Sequence, residues 1–550
     1  MPAPWYKHAI CYELYVRAFR DTNGDGHGDL QGVIEKLDYL QWLGVNCLWL
    51  LPIYPSPLKD DGYDVADFYG IHPDYGTLDD FRALLEAAHA RGIRVLTDLT
   101  LNHTSDQHPW FQEARRDPNS PYRDYYVWSD TDRKYRQVRV IFVDFEDSNW
   151  TWDEAAQKYY WHRFYRWQPD LNYDNPAVQE EMLQVVRYWL EMGVDGFRVD
   201  AAPYLFEREG TNCENLPETH AFLKRLRRFV DEHFPGRVLL SEANQWPQDV
   251  RPYFGGDPDD PAVPGDEFHM AFHFPLMPRI FMALKQERRD ALAWVMSVTP
   301  PIPHNAQWAT FLRNHDELTL EMVTEEERQW MWEQYAPDPQ MRLNLGIRRR
   351  LAPLLDGDRR KILLAHALLF AFPGTPFLYY GDEIGMGDNI SLPDRDGVRT
   401  PMQWTPEPPN AGFTAPDVRP YAPVIAAAPY GYPWVNVAAQ RAKPDSLLHA
   451  LRRMIAVRKA HPAFGVGEFA WEDVGTTSVA AFWRTTPEER LLLVHNLSAR
   501  PQEIRLPGGE YAGLFGGDGE ATGGKRALPP YGCLWLLARG APFIVRRPAA

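Results

Sequence analysis

Four short segments of this 550-residue chain carry side chains able to do chemistry. In order they are Asp98-Leu99-Thr100-Leu101-Asn102-His103, Gly196-Phe197-Arg198-Val199-Asp200, Ser241-Glu242-Ala243-Asn244 and Phe311-Leu312-Arg313-Asn314-His315-Asp316. Each reads as a strand ending in a polar loop, with a carboxylate or a His/Asn pair at its carboxyl end. In a (β/α)8 barrel such ends converge on one mouth, where the active site sits. Asp200, Glu242 and Asp316 would share that mouth, and three carboxylates so placed suit reactions at a glycosidic bond.

The elements that must position them alternate between strand and helix. Residues 9–14 read as a strand, and 32–44 carry apolar residues at helical spacing. Residues 47–51 form a continuous apolar run closed by Pro52, the pattern of a buried parallel strand. A helix over 78–91 and a strand over 94–98 follow. This rhythm implies a parallel sheet with outer helices. It breaks over 103–173, a stretch rich in Asp, Pro, Trp and Tyr with strand-like pieces such as 138–142. That is too long for a connector and reads as an inserted subdomain.

Periodicity resumes with a helix over 176–193 and strands at 196–199, 238–240, 308–312 and 375–380. The fold class expected is therefore α/β. A (β/α)8 TIM barrel would span residues 1–102 and 174–464, with a subdomain inserted at 103–173. Polar, Pro-rich excursions at about 321–358 and 384–444 would shape its pocket. Beyond a helix over 447–461, strands at 478–483 and 491–495 and Gly-rich turns imply a C-terminal antiparallel β-sandwich over 465–550.

The bulk composition agrees with a folded globular chain, 45% apolar and 24% charged. A net charge of −17 argues against nucleic acid or an anionic membrane as partner. Cys11, Cys47, Cys213 and Cys533 are widely spaced, so neither a disulfide framework nor a zinc site is implied, and a reducing cytoplasm is the expected location. No signal-peptide pattern opens the chain, and no apolar run of membrane-spanning length occurs. The oligomeric state stays open, a homo-oligomer included.

Taken together with Asp60-Asp61-Gly62-Tyr63-Asp64-Val65, the four segments resemble the α-amylase superfamily of retaining α-glucoside enzymes (glycoside hydrolase family 13) over essentially the whole chain. The resemblance implies that Asp200 is the nucleophile and Glu242 the general acid/base. Asp316 would stabilise the distorted sugar, and His103 and His315 would hydrogen-bond to it. Physically, Asp200 must stay ionised, and Arg198, two residues earlier on the same strand face, favours that charge. Glu242 must begin protonated, so burial and carboxylate neighbours should raise its pKa. By the same resemblance Tyr63 stacks on the bound glucose and Asp60 takes its far hydroxyls. Arg399 pairs with Asp60, and that clamp selects a terminal glucose.

Two metal sites are expected, both for structural Ca2+, with no organic cofactor. Asp21, Asn23, Asp25 and Asp29 place oxygens at alternate positions around Gly24 and Gly26, like the first half of an EF-hand loop, though Gly32 stands where the closing Glu would be. This stretch is either a solvated acidic turn or, by resemblance, a small calcium loop to which His27 adds its carbonyl. A second site rests on resemblance: Asn102, Asp170 and Glu207, with backbone carbonyls of Tyr204 and Leu205.

Longer stretches narrow the resemblance to the trehalose synthases, the maltose–trehalose isomerases. They are residues 168–176, 208–220, 242–247, 314–321 and 346–354. The chemistry implied is intramolecular transglucosylation through a covalent glucosyl-enzyme, with minor hydrolysis to glucose. Maltose or trehalose would be the small-molecule partner. Tyr204, Asn244, Glu317 and Glu321 are the candidates for gripping the leaving glucose; Glu317 and Glu321 have helical spacing and would present one acidic edge. An α-glucosidase or oligo-1,6-glucosidase shares the triad and differs in that grip. A non-catalytic transporter-associated relative or a carbohydrate-binding scaffold would lack the carboxylates.

Overall fold

The computed structural model describes residues 3–517 and 519–540, so the last ten residues of the expected C-terminal domain lie outside it. Eight parallel strands close a barrel: β1 (Cys11–Leu14), β2 (Cys47–Leu50), β3 (Arg94–Thr100), β4 (Gly196–Asp200), β5 (Val238–Ser241), β6 (Met270–Phe272), β7 (Gln307–Phe311) and β8 (Thr375–Tyr379). Each strand neighbours the next in sequence, and β8 pairs with β1. Seven of them coincide with runs legible in the sequence. The eighth, β6, is only three residues long and follows a Pro- and Asp-rich loop, so it carries too little pattern to be read.

Helix boundaries follow local chemistry. Helix α1 (Leu30–Leu43) starts at Asp29, whose carboxylate accepts the Gly32 amide, and stops at Gly44, which sits at φ 106°. Helix α2 (Leu78–Ala90) opens on a reciprocal capping box between Thr77 and Asp80. Helix α3 (Pro176–Met192) has Asn175 as cap and Pro176 as its first residue. It buries Val178, Met182, Val185, Val186 and Trp189, an apolar stripe at helical spacing.

Parallel register delivers the chemistry to one rim. Between β3 and β4 it sets Asp98 beside Arg198 and Thr100 beside Asp200. Between β4 and β5 it sets Val199 beside Ser241, and the Glu242 amide then donates to the Val199 carbonyl at 3.0 Å.

The inserted subdomain holds a helix (Pro109–Arg116) and a three-stranded antiparallel sheet built from Trp128–Ser129, Trp150–Asp153 and Lys158–Trp161. Residues 138–142, expected as a strand, are irregular: Arg139 is drawn into ion pairs, and Ile141 and Phe142 turn toward the barrel mouth. The excursion after β7 forms a small antiparallel sheet of Leu318–Thr319, Gly346–Ile347 and Arg342–Leu343.

The C-terminal domain is antiparallel, as expected, but its two layers come from one six-stranded sheet. Its strands are β9 (Glu468–Trp471), β10 (Val479–Thr485), β11 (Arg490–Asn496), β12 (Gln502–Phe515), β13 (Glu520–Leu528) and β14 (Cys533–Arg539). Strand β12 changes register between Leu506 and Glu510. The sheet curls there, bringing the Arg505 amide to the Val474 carbonyl at 3.1 Å and closing Ile504, Leu506 and Leu528 over Val479, Leu492 and Leu534. Its other face, with Phe482, Leu493 and Trp535, joins the barrel's core.

Gly196 sits against the Val238 backbone, and a β-carbon there would lie 2.1 Å from the Val238 carbonyl oxygen. Gly196→Ala is therefore expected to destabilise the fold by about 2–3 kcal/mol, since backbone cannot yield as a side chain does. An unchanged urea midpoint would contradict that account of strand packing.

Candidate active site

Arg198 is the centre of the site. Trp49 and Asp98 hold it from below: the Trp49 indole N–H donates to Asp98 Oδ2 at 2.8 Å, and Arg198 Nη1 meets Asp98 Oδ1 at 2.6 Å. The same guanidinium holds both proposed reacting carboxylates, with Nη1 2.5 Å from Asp200 Oδ1 and Nη2 2.9 Å from Glu242 Oε1. Glu242 Oε2 also accepts the Ala201 amide at 3.2 Å. Ala201 reaches it from a left-handed backbone, φ 51°, at the end of β4.

The two acids sit apart on the pH scale, and burial lifts both. It raises Asp200 to about 6, against the opposing pull of Arg198. It raises Glu242 to about 8, again against Arg198 and with help from the Asp200 and Asp316 charges. At neutral pH the first is ionised and the second protonated, the division a nucleophile and a general acid require.

Asp316 is held differently. Burial works to raise its carboxyl, but the Arg395 and Arg399 guanidiniums overcome this and keep it well below the usual range. Arg395 Nη1 lies 2.8 Å from Asp316 Oδ1, and Arg399 Nη2 lies 3.1 Å from the same oxygen. His315 Nδ1 lies 2.6 Å from Glu13 Oε1, and its ring stacks on Tyr63 at 5.2 Å. The Tyr63 hydroxyl in turn donates to Asp98 at 3.1 Å. Burial keeps both pocket histidines neutral, with His103 down to about 3, and His103 Nε2 is buried without a partner.

The expected Asp60–Arg399 pair is not what forms. Asp60 pairs with Arg395 at 2.7 Å and accepts Gln168 Nε2 at 2.8 Å. Arg399 pairs instead with Asp61 at 2.6 Å. The reason is reach: Arg395 projects into the pocket, whereas the Arg399 guanidinium is fixed behind it by the His315 carbonyl at 2.9 Å. Arg395 lies four residues before Arg399 in the same loop, and nothing in the spacing of that loop distinguishes the two.

The four residues expected to grip the leaving glucose all line the cavity. Glu317 and Glu321 do so without a helix. They flank the short strand Leu318–Thr319, and Glu317, Thr319 and Glu321 face the cavity because alternate residues of an extended chain share a side. Asn244 Nδ2 donates to Thr319 Oγ1 at 3.0 Å, and its Oδ1 is buried without a partner. Sequence reasoning missed Arg139 of the inserted subdomain. It pairs with Glu321 at 2.8 Å and Glu214 at 2.9 Å and donates to the Tyr204 hydroxyl at 3.4 Å.

Among the described residues, no three His, Cys, Asp or Glu side chains form a group that could hold a metal ion by themselves. In the 21–29 loop the oxygens serve the loop's own backbone. Asp21 accepts the Gly24 and Gly26 amides, Asn23 that of Asp25, Asp25 that of His27, and Asp29 those of Thr22 and Gly32. The second set differs: Asn102 Oδ1 and Asp170 Oδ2 are buried with no hydrogen-bond partner, where His103 and Asp170 bridge barrel and subdomain. Burial raises Asp170 to about 8 and holds Glu207 well above its ordinary value, the Asp170 charge adding to the rise of Glu207.

A closed (β/α)8 barrel with this carboxylate triad defines a glycoside-acting enzyme, and the family described as Alpha amylase, catalytic domain matches residues 13–336 and 348–467. The Alpha-amylase SusG C-terminal domain matches 479–533. The chain belongs to the α-amylase family. Within it, the chain falls among the trehalose synthases. It is 62% identical to the trehalose synthase/amylase of Mycobacterium tuberculosis over 91% of this chain and 83% of that one. It is 58% identical to the trehalose synthase of a Pimelobacter species over 92% and 90%. The crystal structure of the trehalulose synthase MutB from Pseudomonas mesoacidophila superposes with a TM-score of 0.78 at 28% identity, covering 98% of this chain and all of the other.

The two acids predict a bell-shaped dependence of kcat/KM on pH. Activity should fall below about pH 6, as Asp200 takes up a proton, and above about pH 8, as Glu242 loses one. A profile flat from pH 5 to 9 would contradict the assignment.

Proposed function

We propose that this enzyme isomerises maltose to trehalose by double displacement, with slow hydrolysis to glucose as a side reaction. Asp200 attacks the anomeric carbon while Glu242 protonates the departing O4, leaving glucosyl-Asp200 and free glucose. The glucose turns within the pocket. Glu242 then takes the proton from its anomeric hydroxyl, and that oxygen displaces Asp200 to give an α,α-1,1 link. Arg198 serves both steps, since it contacts both carboxylates and tracks the charge as it moves between them.

The observation that carries this reading is the closure over the leaving-group side. Arg139 ties the inserted subdomain to Glu321 and Glu214 of the barrel loops, beside Tyr204, Asn244 and Glu317. Such a tie retains glucose and excludes water, which is what separates isomerisation from hydrolysis. The names of the relatives agree with it. Four free cysteines support a reducing compartment, the cytoplasm, and no described helix is long and apolar enough to cross a membrane.

Structural Ca2+ belongs to the same reading. Asn102, Asp170 and Glu207, with the Tyr204 and Leu205 carbonyls, would hold it, and the two orphaned oxygens beside the buried Glu207 favour a hard cation there. The 21–29 loop offers oxygens of the right kind, but they are already engaged. A bound cation would clamp subdomain to barrel.

Purified protein incubated with maltose should yield trehalose as the main product; glucose alone would favour an α-glucosidase. Arg139→Met is expected to raise glucose formed per trehalose by roughly 5- to 10-fold, the ~1–1.4 kcal/mol of a lost partly buried contact. Chelation should lower the melting temperature of the parent and leave Asp170→Asn unmoved. Equal shifts in both would place the cation elsewhere.

A further inference from the structure

Glu13 is a carboxyl group of the barrel interior that the mechanism leaves unused. It stands on β1, fully buried, and its side chain reaches a residue 302 positions away. Its Oε1 accepts the His315 amide at 3.1 Å and lies 2.6 Å from His315 Nδ1. Its Oε2 is buried with no partner. At the other edge of the ring, His315 Nε2 lies 3.2 Å from Asp316 Oδ2, and His315 lines the catalytic cavity.

His315 thus stands between two carboxyl groups, and its protons can be placed from its neighbours. Asp316 is an anion, paired with Arg395 and Arg399. A bare Nε2 would set its lone pair against that carboxylate at 3.2 Å, so Nε2 carries a proton. The ring is neutral: burial opposes its charging and so do Arg399, Arg198 and Arg395, against the pull of Asp316. In a neutral ring protonated at Nε2, Nδ1 is an acceptor. The 2.6 Å contact then requires its proton from Glu13. The bare Oε2 agrees with this, because an unpaired carbonyl of a neutral acid costs less than half of a buried carboxylate. Burial pushes the Glu13 carboxyl well above its ordinary value, against the His315 amide and Arg198 and with help from the Asp316 and Asp98 charges.

We propose that Glu13 is a neutral carboxylic acid that donates to His315 Nδ1 and so fixes the ring as the Nε2–H tautomer, the form able to donate to a sugar hydroxyl beside Asp316. Glu13 is a positioning residue, acting on the sugar only through His315. Its hydroxyl oxygen fills two roles at once, accepting the His315 amide and donating to the ring. A side-chain amide nitrogen has no lone pair to offer and cannot do both. The inference rests on the sugar contact assigned to His315 and not on the isomerase reading, since that contact serves formation of glucosyl-Asp200 whichever acceptor follows.

The test is nitrogen NMR of the full chain labelled with nitrogen-15 histidine, with the His315 signals identified by their loss in His315→Asn. At pH 7 the parent should show His315 neutral and protonated at Nε2. A proton on Nδ1, or on both nitrogens, overturns the proposal. Glu13→Gln should turn its amide oxygen to the His315 amide and draw the ring proton to Nδ1. Its kcat/KM for p-nitrophenyl α-glucoside should then fall roughly 10- to 100-fold, the loss of one hydrogen bond in the transition state. A merely structural role would leave the tautomer where it was, and activity that does not follow the tautomer overturns the positioning role. The parent spectrum decides the protonation of Glu13 even if the variant fails to fold. Trehalose formed from maltose is read separately and bears only on the isomerase reading.

Discussion

The catalytic rim depends on a single buried cation shared among three acids. Arg198 is 1% exposed and contacts Asp98, Asp200 and Glu242. Taking a charge out of water is expensive unless partners surround it. Here the surplus of carboxylates means that they cannot all be ionised cheaply, so the site must hold a proton. Geometry decides where. Asp98 is braced by Trp49 and Tyr63 and Asp200 lies 2.5 Å from one guanidinium nitrogen, while Glu242 stands 2.9 Å from the other and faces the charges of Asp200 and Asp316. The proton therefore resides on Glu242, and the asymmetry that chemistry needs follows from strand register.

A second charge system, built on Arg395 and Arg399, works in the opposite direction. It supplies more cation than Asp316 needs and keeps that residue an anion throughout. One half of the rim thus stores a proton, while Asp316 in the other stays charged. The two halves meet at Tyr63 and His315, whose rings stack, with the Arg198 guanidinium 5.5 Å from the Tyr63 ring.

Much of this was legible in the chain. Asp200, Glu242 and Asp316 stand out because a strand end with a carboxylate in a βα rhythm has few other uses, and seven barrel strands show as apolar runs. What escaped notice did so for definite reasons. The three residues of β6 are too few to display a period. Glu317 and Glu321 are four apart, which fits a helix face and an extended edge equally well, and the small sheet after β7 decides for the latter. Arg139 and Arg395 reach partners as far as 182 and 335 residues away in sequence, through loops whose path no local pattern encodes. The C-terminal antiparallel sandwich is legible, but strand alternation reports faces and not connectivity, so that one sheet, through the register change in β12, supplies both layers is not.

That curled sheet has a consequence for how the molecule holds together. Phe482 of β10 packs on Phe372 at 4.9 Å, Trp535 of β14 on Phe464 at 5.1 Å, and the Arg484 guanidinium donates to the Ala371 carbonyl at 3.0 Å. One hydrophobic core therefore runs from the barrel into the terminal sheet without a seam. The two parts are one cooperative unit, not beads on a string, so the terminal sheet is not a module that could be shed or exchanged while the barrel's chemistry carried on.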